Sequence, residues 1–293
     1  MIDLHTHTKH SDGTDKCIEL LQKAQEQGLD IISITDHNTV DAYFELEKIN
    51  IKEYFKGGII PGVELNTKIL GIPIEILGYG IDYKKINDGL KKVYIPVNER
   101  NRIEVERLYS KCIKAGLILE ENCLQSYDDT MFASKFIQTE IKKFEENKKI
   151  ISEDAWEEPR IFYRRYMSNP ECALYVEMDD LVPEFNVAAN LIREAGGLVF
   201  IPHIFEYREN AIKILEYILN NYKIDGIECF YTTFSEEQKE YVLEICKKQG
   251  LYISGGSDYH GKAKPNVELG SGYGNLEISK EIIAEWKNKV YII

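Results

Sequence analysis

The sequence has no Cys-x-x-Cys pair, and its six cysteines (Cys17, Cys112, Cys123, Cys172, Cys229 and Cys246) are scattered over 293 residues. That spacing argues against a disulfide framework and a thiolate zinc finger, and it reads as free thiols buried in a core. No apolar run approaches the roughly 20 residues that a membrane span needs. The opening Met1-Ile2-Asp3-Leu4-His5 has no basic stretch leading into an apolar one, so no export leader is expected and the cytoplasm is the default compartment. Basic residues are in deficit: 36 Lys and Arg stand against 49 Asp and Glu, for a net charge of −13. A surface of that sign repels polyanions. Duplex nucleic acid, held by many phosphate contacts, is not an expected partner, and neither is a membrane. Histidine is scarce too, with six in the chain. Where those six fall carries most of the functional signal.

A length of 293 residues fits one large barrel or two ordinary domains. One rhythm recurs. An amphipathic stretch stops at Gly, a short apolar run follows, and a polar residue closes it. Thr14 to Gln27 stops at Gly28; Leu29 to Ile34 then runs into Thr35-Asp36-His37. A helix to Ala195 stops at Gly196-Gly197, and Leu198 to Ile201 leads to His203. Ser235 to Gln249 stops at Gly250, and Leu251 to Ser254 leads to Ser257-Asp258-Tyr259-His260. Gly226 to Phe230, with Glu228 inside it, is a shorter version after a helix near Asn210 to Asn221. Gly after a helix supplies the left-handed cap, and continuous apolar runs read as strands buried on both faces of a parallel sheet. The alternation predicts βα units. Residues at the carboxyl ends of such strands are where α/β enzymes build their sites.

The stretch from 90 to 180 lacks such strands. Glu99 to Ala115 predicts one amphipathic helix ending at Gly116, and Ala133 to Lys149 predicts another. The expected organisation is therefore a barrel from 1–89 and 181–293, with 90–180 as a helical insert or cap.

His5 and His7 lie two apart on a predicted strand and point to one side of it. Imidazole with carboxylate suits Mn²⁺, Fe²⁺ or Zn²⁺. His-x-His alone is a modest signal, and a hydrogen-bonded histidine pair produces the same pattern. Five of the six histidines, however, sit at predicted strand ends, with Asp12, Glu64 and Asp258 in equivalent settings. Together they favour a metal cluster over separate structural histidines.

His-Thr-His-Thr with Ser-Asp-Gly, Ile-Thr-Asp-His, Pro-Gly-Val-Glu, Ile-Leu-Gly-Tyr and Gly-Ser-Asp-Tyr-His resemble the PHP (polymerase and histidinol phosphatase) family. The order is similar to its bacterial branch that hydrolyses nucleotide and oligonucleotide phosphates. The likeness extends to Asn98-Glu99-Arg100-Asn101-Arg102 and Tyr163-Arg164-Arg165-Tyr166. It implies a distorted (β/α)7 barrel holding two or three divalent ions. The ligands it implies are His5, His7, Asp12, His37, Glu64, His203, Asp258 and His260, with Glu64 bridging two ions. The implied activity is metal-dependent hydrolysis of nucleotide or short oligonucleotide phosphates, as a phosphatase or a 5'-3' exonuclease. Histidinol-phosphate phosphatase and a catalytically silent PHP domain are the alternatives. An amidohydrolase also opens on His-x-His in a barrel, but Glu64 and the closing Asp258-Tyr259-His260 fit that pattern poorly.

Asp36 and Glu228 are expected to orient imidazoles from behind. Asp12 and His260 are the candidate proton donors. Arg100, Arg102, Lys135, Arg164, Arg165 and Lys264 are candidate phosphate contacts, Arg for its two-pronged fork. His10 matches no ligand and reads as an exposed loop histidine. Two departures bear on one metal position: Glu75 stands where His-Ile-Leu-Gly-Tyr is usual, and Ser134 stands where an insert histidine is usual. The expectation is two well-held ions, one on His5, His7, Glu64 and Asp258, the other on Asp12, His37, His203 and His260. A third position would be weak unless Glu75 rescues it.

Overall fold

The computed structural model describes all residues from Met1 to Ile293. The chain divides into two compact units, Met1–Val93 with Val182–Ile293, and Tyr94–Leu181. No helix is long and apolar enough to cross a membrane.

The first unit is α/β. Strands β1 (Ile2–Thr6), β2 (Ile31–Ile34) and β3 (Gly58–Ile59) form a parallel sheet in that order. Helix α1 (Cys17–Glu26) links the first two, and α2 (Asp41–Leu46) and α3 (Ile51–Tyr54) lead to the third. A second sheet runs β4 (Gly62–Ile69), β5 (Ile72–Tyr79), β6 (Leu198–Ile201), β7 (Gly226–Tyr231), β8 (Tyr252–Gly256). From β6 to β8 it is parallel, whereas β4–β5 and β5–β6 are antiparallel. This corrects the expectation of parallel pairing throughout. β4 and β5 form a hairpin whose two turn residues, Leu70 and Gly71, both have positive φ, at 52° and 74°. That is the turn whose twist matches a two-residue hairpin. The sheets meet at isolated parallel bridges, Thr6 with Tyr259 at one end and His37 with Glu64 at the other.

Gly256 makes the first junction possible. A Cβ there would lie 2.3 Å from His5 Cβ and 2.5 Å from His5 N. Between the sheets lies a core of Ile2, Leu4, Ile60, Leu77, Tyr79, Phe200 and Trp286. The indole N–H of Trp286 donates to the Ile253 carbonyl at 2.9 Å. Helix α4 (Tyr83–Val93) closes the first half of this unit.

The second unit is helical, with α5 (Val97–Lys114), α6 (Ala133–Ile141), α7 (Glu153–Glu157) and α8 (Pro159–Phe162). Asn101, Val105, Leu108 and Cys112 form the buried stripe of α5 at helical spacing. Val105, Leu108 and Cys112 pack with Phe136, Ile137, Trp156 and Phe162. The single helix expected over 133–149 is broken. α6 ends at Ile141, and a 3₁₀ turn follows at Glu145–Lys149. Asn147 explains the break: its buried amide donates to the carbonyls of Ile141 and Ile118 and accepts from the Ile118 N–H, at 2.8–2.9 Å. Back in the first unit, α9 (Phe185–Glu194) precedes β6 and α10 (Ala211–Asn221) precedes β7. α11 (Glu236–Gln249) precedes β8; Ser235 caps its start, and Gly250 (φ 66°) ends it.

Candidate metal centre

The strand ends bring eight of the expected side chains, and Glu75, to one place. His5 lies in β1 and His7 just past it; both are fully buried. Their Nε2 atoms stand 3.0 and 3.2 Å from the same Glu64 oxygen. They stand 3.6 and 3.3 Å from Asp258 Oδ1. His203, at the end of β6, approaches the other Glu64 oxygen at 3.0 Å. His37, past β2, is 3.5 Å from Glu64 and 3.7 Å from Glu75. His260 Nε2 lies 3.2 Å from Asp12 Oδ1, which is also 3.7 Å from His7 and 3.8 Å from His37. Glu64 and Glu75 share a face of the hairpin, since Glu75 pairs with Asn66, two residues from Glu64.

Three groups emerge that could each hold a cation: His7, Asp12, His37 and His260; His5, His7 and Glu64; and His37, Glu64 and Glu75. The expected partition changes in one respect. His203 stands with Glu64 and Glu75, and His7 takes the place assigned to it beside Asp12, His37 and His260. The reason is topological: β6 pairs with β5 and so brings His203 to the hairpin.

The donors fit divalent ions. Neither ring nitrogen of His7 has a hydrogen-bond partner, and Nδ1 of His37 and of His203 has none either. A buried polar atom left so costs about 1–3 kcal/mol, and a cation removes that cost. Imidazoles with carboxylates are the ligand set of borderline-to-hard divalent ions.

Charge in the cluster is strongly coupled. Burial alone would lower His7, but Asp258 and Glu64 outweigh it and raise it to about 10. Burial also opposes protonation of His203, and Glu64 and Glu75 bring it up to about 9. Burial and the Glu64 charge both push the Glu75 carboxyl up. Burial would raise Asp12, but His260, His37 and His7 hold it well below the usual range.

Behind the cluster, Glu228 orients two groups. One oxygen meets His5 Nδ1 at 3.0 Å, and the other accepts the His203 N–H at 2.8 Å. Asp36 does not do this. Its carboxylate accepts from the Thr8 N–H and hydroxyl at 2.7 Å and from Ser11 at 2.5 Å. It shapes the loop that carries Asp12 and orients no imidazole. Lys264 is ion-paired to Asp258 Oδ2, to which the Tyr231 hydroxyl also donates at 2.8 Å.

The other basic candidates lie in the helical unit. Arg165 is committed to Asp154 by both guanidinium arms at 2.6 Å and to Ser152. It serves that ion pair on the surface of the helical unit. Arg102 lies over the Tyr127 ring, 5.8 Å from its centroid. Arg100, Arg164 and Lys135 are exposed. His10 is half-buried and bonded to Glu45 at 2.7 Å, not a free loop histidine.

Three residues were not found from sequence. Asp3 accepts from the Ser257 N–H and hydroxyl and from Gly270, fixing the segment before Asp258. Tyr231 holds Asp258, and the Tyr207 hydroxyl accepts the Glu75 N–H at 2.8 Å. Tyr231 ends a strand as the ligands do, which is the one signal available; Asp3 and Tyr207 carry none.

The PHP domain model matches residues 3–158. Over 292 residues the chain is 26% identical to a 5'-3' exoribonuclease of Haemophilus influenzae, covering 97% of each. Over 275 residues it is 24% identical to a 3',5'-nucleoside bisphosphate phosphatase of Chromobacterium violaceum, covering 92% of this chain and 90% of that one. A Bifidobacterium adolescentis structure described as a metal-dependent phosphoesterase superposes with a TM-score of 0.70 at 20% identity, over 99% of this chain and 96% of that one. At that identity the likeness speaks for the fold. With more than half of its length matched, the chain belongs to the PHP domain family.

Proposed function

We propose that this protein is a metal-dependent phosphoesterase that hydrolyses phosphate esters of nucleotides or short oligonucleotides. The observation that carries the reading is the convergence of His5, His7, Asp12, His37, Glu64, His203, Asp258 and His260 around a buried Glu64 whose two oxygens serve different imidazoles. The names of the two relatives, an exoribonuclease and a bisphosphate phosphatase, support the substrate class. We read the two bridged sheets as halves of a distorted (β/α)7 barrel.

Two ions of the Mn²⁺, Fe²⁺ or Zn²⁺ kind would be held by the two groups that meet at His7, one on His5, Glu64 and neighbouring Asp258, the other on Asp12, His37 and His260, with His7 serving one of them. Glu75, in place of an imidazole, would hold a third with His37 and Glu64. Bound divalent ions supply Lewis-acid stabilisation of phosphoryl oxygens and an activated water at neutral pH. The chain's own residues do the rest. Glu228 sets the rotation of His5, and Tyr231 and Lys264 hold Asp258 in place. The Asp12–His260 pair is our assignment for relaying a proton from solvent to the leaving oxygen: Asp12 is exposed and rests ionised, so it takes up the proton it passes on, and His260 is buried against it.

The test is phosphate and nucleotide release by metal-analysed protein from nucleoside bisphosphates, short 5'-phosphorylated oligonucleotides and histidinol phosphate. Turnover on the nucleotide substrates, lost in a folded His7→Ala variant, is the expected result. No turnover on any phosphate ester by fully loaded protein would overturn the reading.

A further inference from the structure

Outside the centre described above, three side chains of metal-binding type meet from three different elements. His10 comes from the loop after β1, Cys17 is the first residue of α1, and Glu45 lies in α2. One donor atom from each lies within 4.8 Å of the other two. His10 Nε2 and Glu45 Oε2 are 2.7 Å apart. Cys17 is fully buried, and its thiol makes a long contact with the Ala42 carbonyl, at 3.9 Å. We propose that His10, Cys17 and Glu45 form a separate binding site for a thiolate-accepting divalent cation, Zn²⁺.

Geometry allows it. Zn–S is about 2.3 Å, and Zn–N and Zn–O are about 2.0–2.2 Å, so tetrahedral ligand atoms sit about 3.3–3.7 Å apart. The His10–Glu45 contact must open by under about 1 Å, and the thiol must close by a similar amount, both within reach of side-chain rotation. Access exists as well. His10 and Glu45 line a groove of roughly 470 Å³ together with Phe44, Lys48 and Lys91. That leaves a path for the ion and room for a water as fourth ligand.

The electrostatics run the same way. Burial first, then the carboxylates of Glu45 and Asp36, push the Cys17 thiol up to about 12. Without a cation it is an inert thiol beside acids. A divalent ion inverts that balance: the S–H proton leaves to solvent as the metal–sulfur bond forms. Softness separates the two sites, because the main cluster offers only imidazole and carboxylate, whereas this one offers sulfur. Its consequence is mechanical: an ion here would pin the loop carrying Asp12 to α1 and α2.

Cobalt reads this site apart from the other. The full chain is stripped with chelator and titrated with Co²⁺. A thiolate-to-cobalt charge-transfer band in the near ultraviolet is expected and should be absent in Cys17→Ser. The visible bands from the imidazole and carboxylate centre should remain. His10→Gln and Glu45→Gln should each weaken the charge-transfer titration by at least roughly tenfold. Wild-type zinc content should exceed that of Cys17→Ser by one ion. Should Cys17→Ser fail to fold, as judged by circular dichroism, His10→Gln carries the same test. A wild-type protein that saturates its visible bands with no charge-transfer band overturns the proposal. So does a band unchanged in the folded variants. Neither outcome touches the phosphoesterase reading, whose centre contains no sulfur.

Discussion

His7 is buried among carboxylates, with both ring nitrogens lacking a directed partner. Without metal, such a ring can satisfy its neighbours only as a cation. His7 and His203 are held up at about 10 and about 9, against 6.5 for a free imidazole. A raised imidazole stabilises the fold fully below its unfolded value and loses that contribution as pH rises through its folded value. The metal-free protein should therefore lose thermal stability between about pH 6.5 and pH 10. Metal must displace the same protons. Calorimetry near pH 7.5 in buffers of different ionisation enthalpy should show roughly two to three protons released per chain on loading. A buffer-independent heat would mean that the imidazoles start neutral. Glu75 gives a second residue-scale test. Its carboxylate stands 3.7 Å from His37 and 3.5 Å from His203, where it can replace a neutral ligand. Glu75→Gln keeps the shape and removes the charge, so plasma emission analysis after dialysis should show one ion per chain fewer than in the wild type. An unchanged content would refute the role given to Glu75.

The hairpin of β4 and β5 is the element that carries Glu64 and Glu75 into the cluster, and its turn is not optimal. Leu70 sits at φ 52° and is half-exposed. A left-handed conformation costs a residue with an ordinary side chain about 1–2 kcal/mol, and Asn less. Leu70→Asn, which makes the preferred Asn-Gly turn, should raise stability by about 0.5–1 kcal/mol and leave turnover unchanged. Denaturant midpoints check the first part and initial rates the second. A fall in stability would show that the Leu70 side chain contributes packing that its exposure does not reveal. The same residue explains why the hairpin was illegible. Ile69-Leu70-Gly71-Ile72 reads as an apolar run interrupted by one glycine, and Leu is a poor marker of a tight turn. By contrast, Gly28, Gly196 and Gly250 each follow a helix with positive φ, and the strands after them were readable for that reason. Asn147 acts in the opposite direction. A buried amide ended α6 early, and nothing in local propensity marks it.

At the scale of the whole molecule, the distribution of charge decides what can approach. The residues of the centre were legible because chemistry concentrated at strand ends. Their partition was not, because it depends on which strands pair, as His203 shows through β6 and β5. The net charge of −13 adds a long-range term to this local picture. A phosphorylated substrate meets repulsion over most of the surface and attraction only where cations are bound. A substrate held by its terminal phosphate at the metal centre should displace few counterions. A substrate lying along an extended basic groove should displace many, with a salt slope of about −0.7 per phosphate for single strands. The logarithm of kcat/KM for a 5'-phosphorylated oligonucleotide should thus fall with log salt at a slope no steeper than about −1 to −2. The slope should stay constant as the strand lengthens beyond the first few nucleotides. Duplexes of the same sequence should be turned over far more slowly, since their double charge density meets the same acidic surface. Rates measured from low to moderate salt on a ladder of strand lengths decide it. A slope that steepens steadily with length would show that many phosphates are bound at once, and the picture of a single-phosphate anchor on an acidic molecule would have to be abandoned.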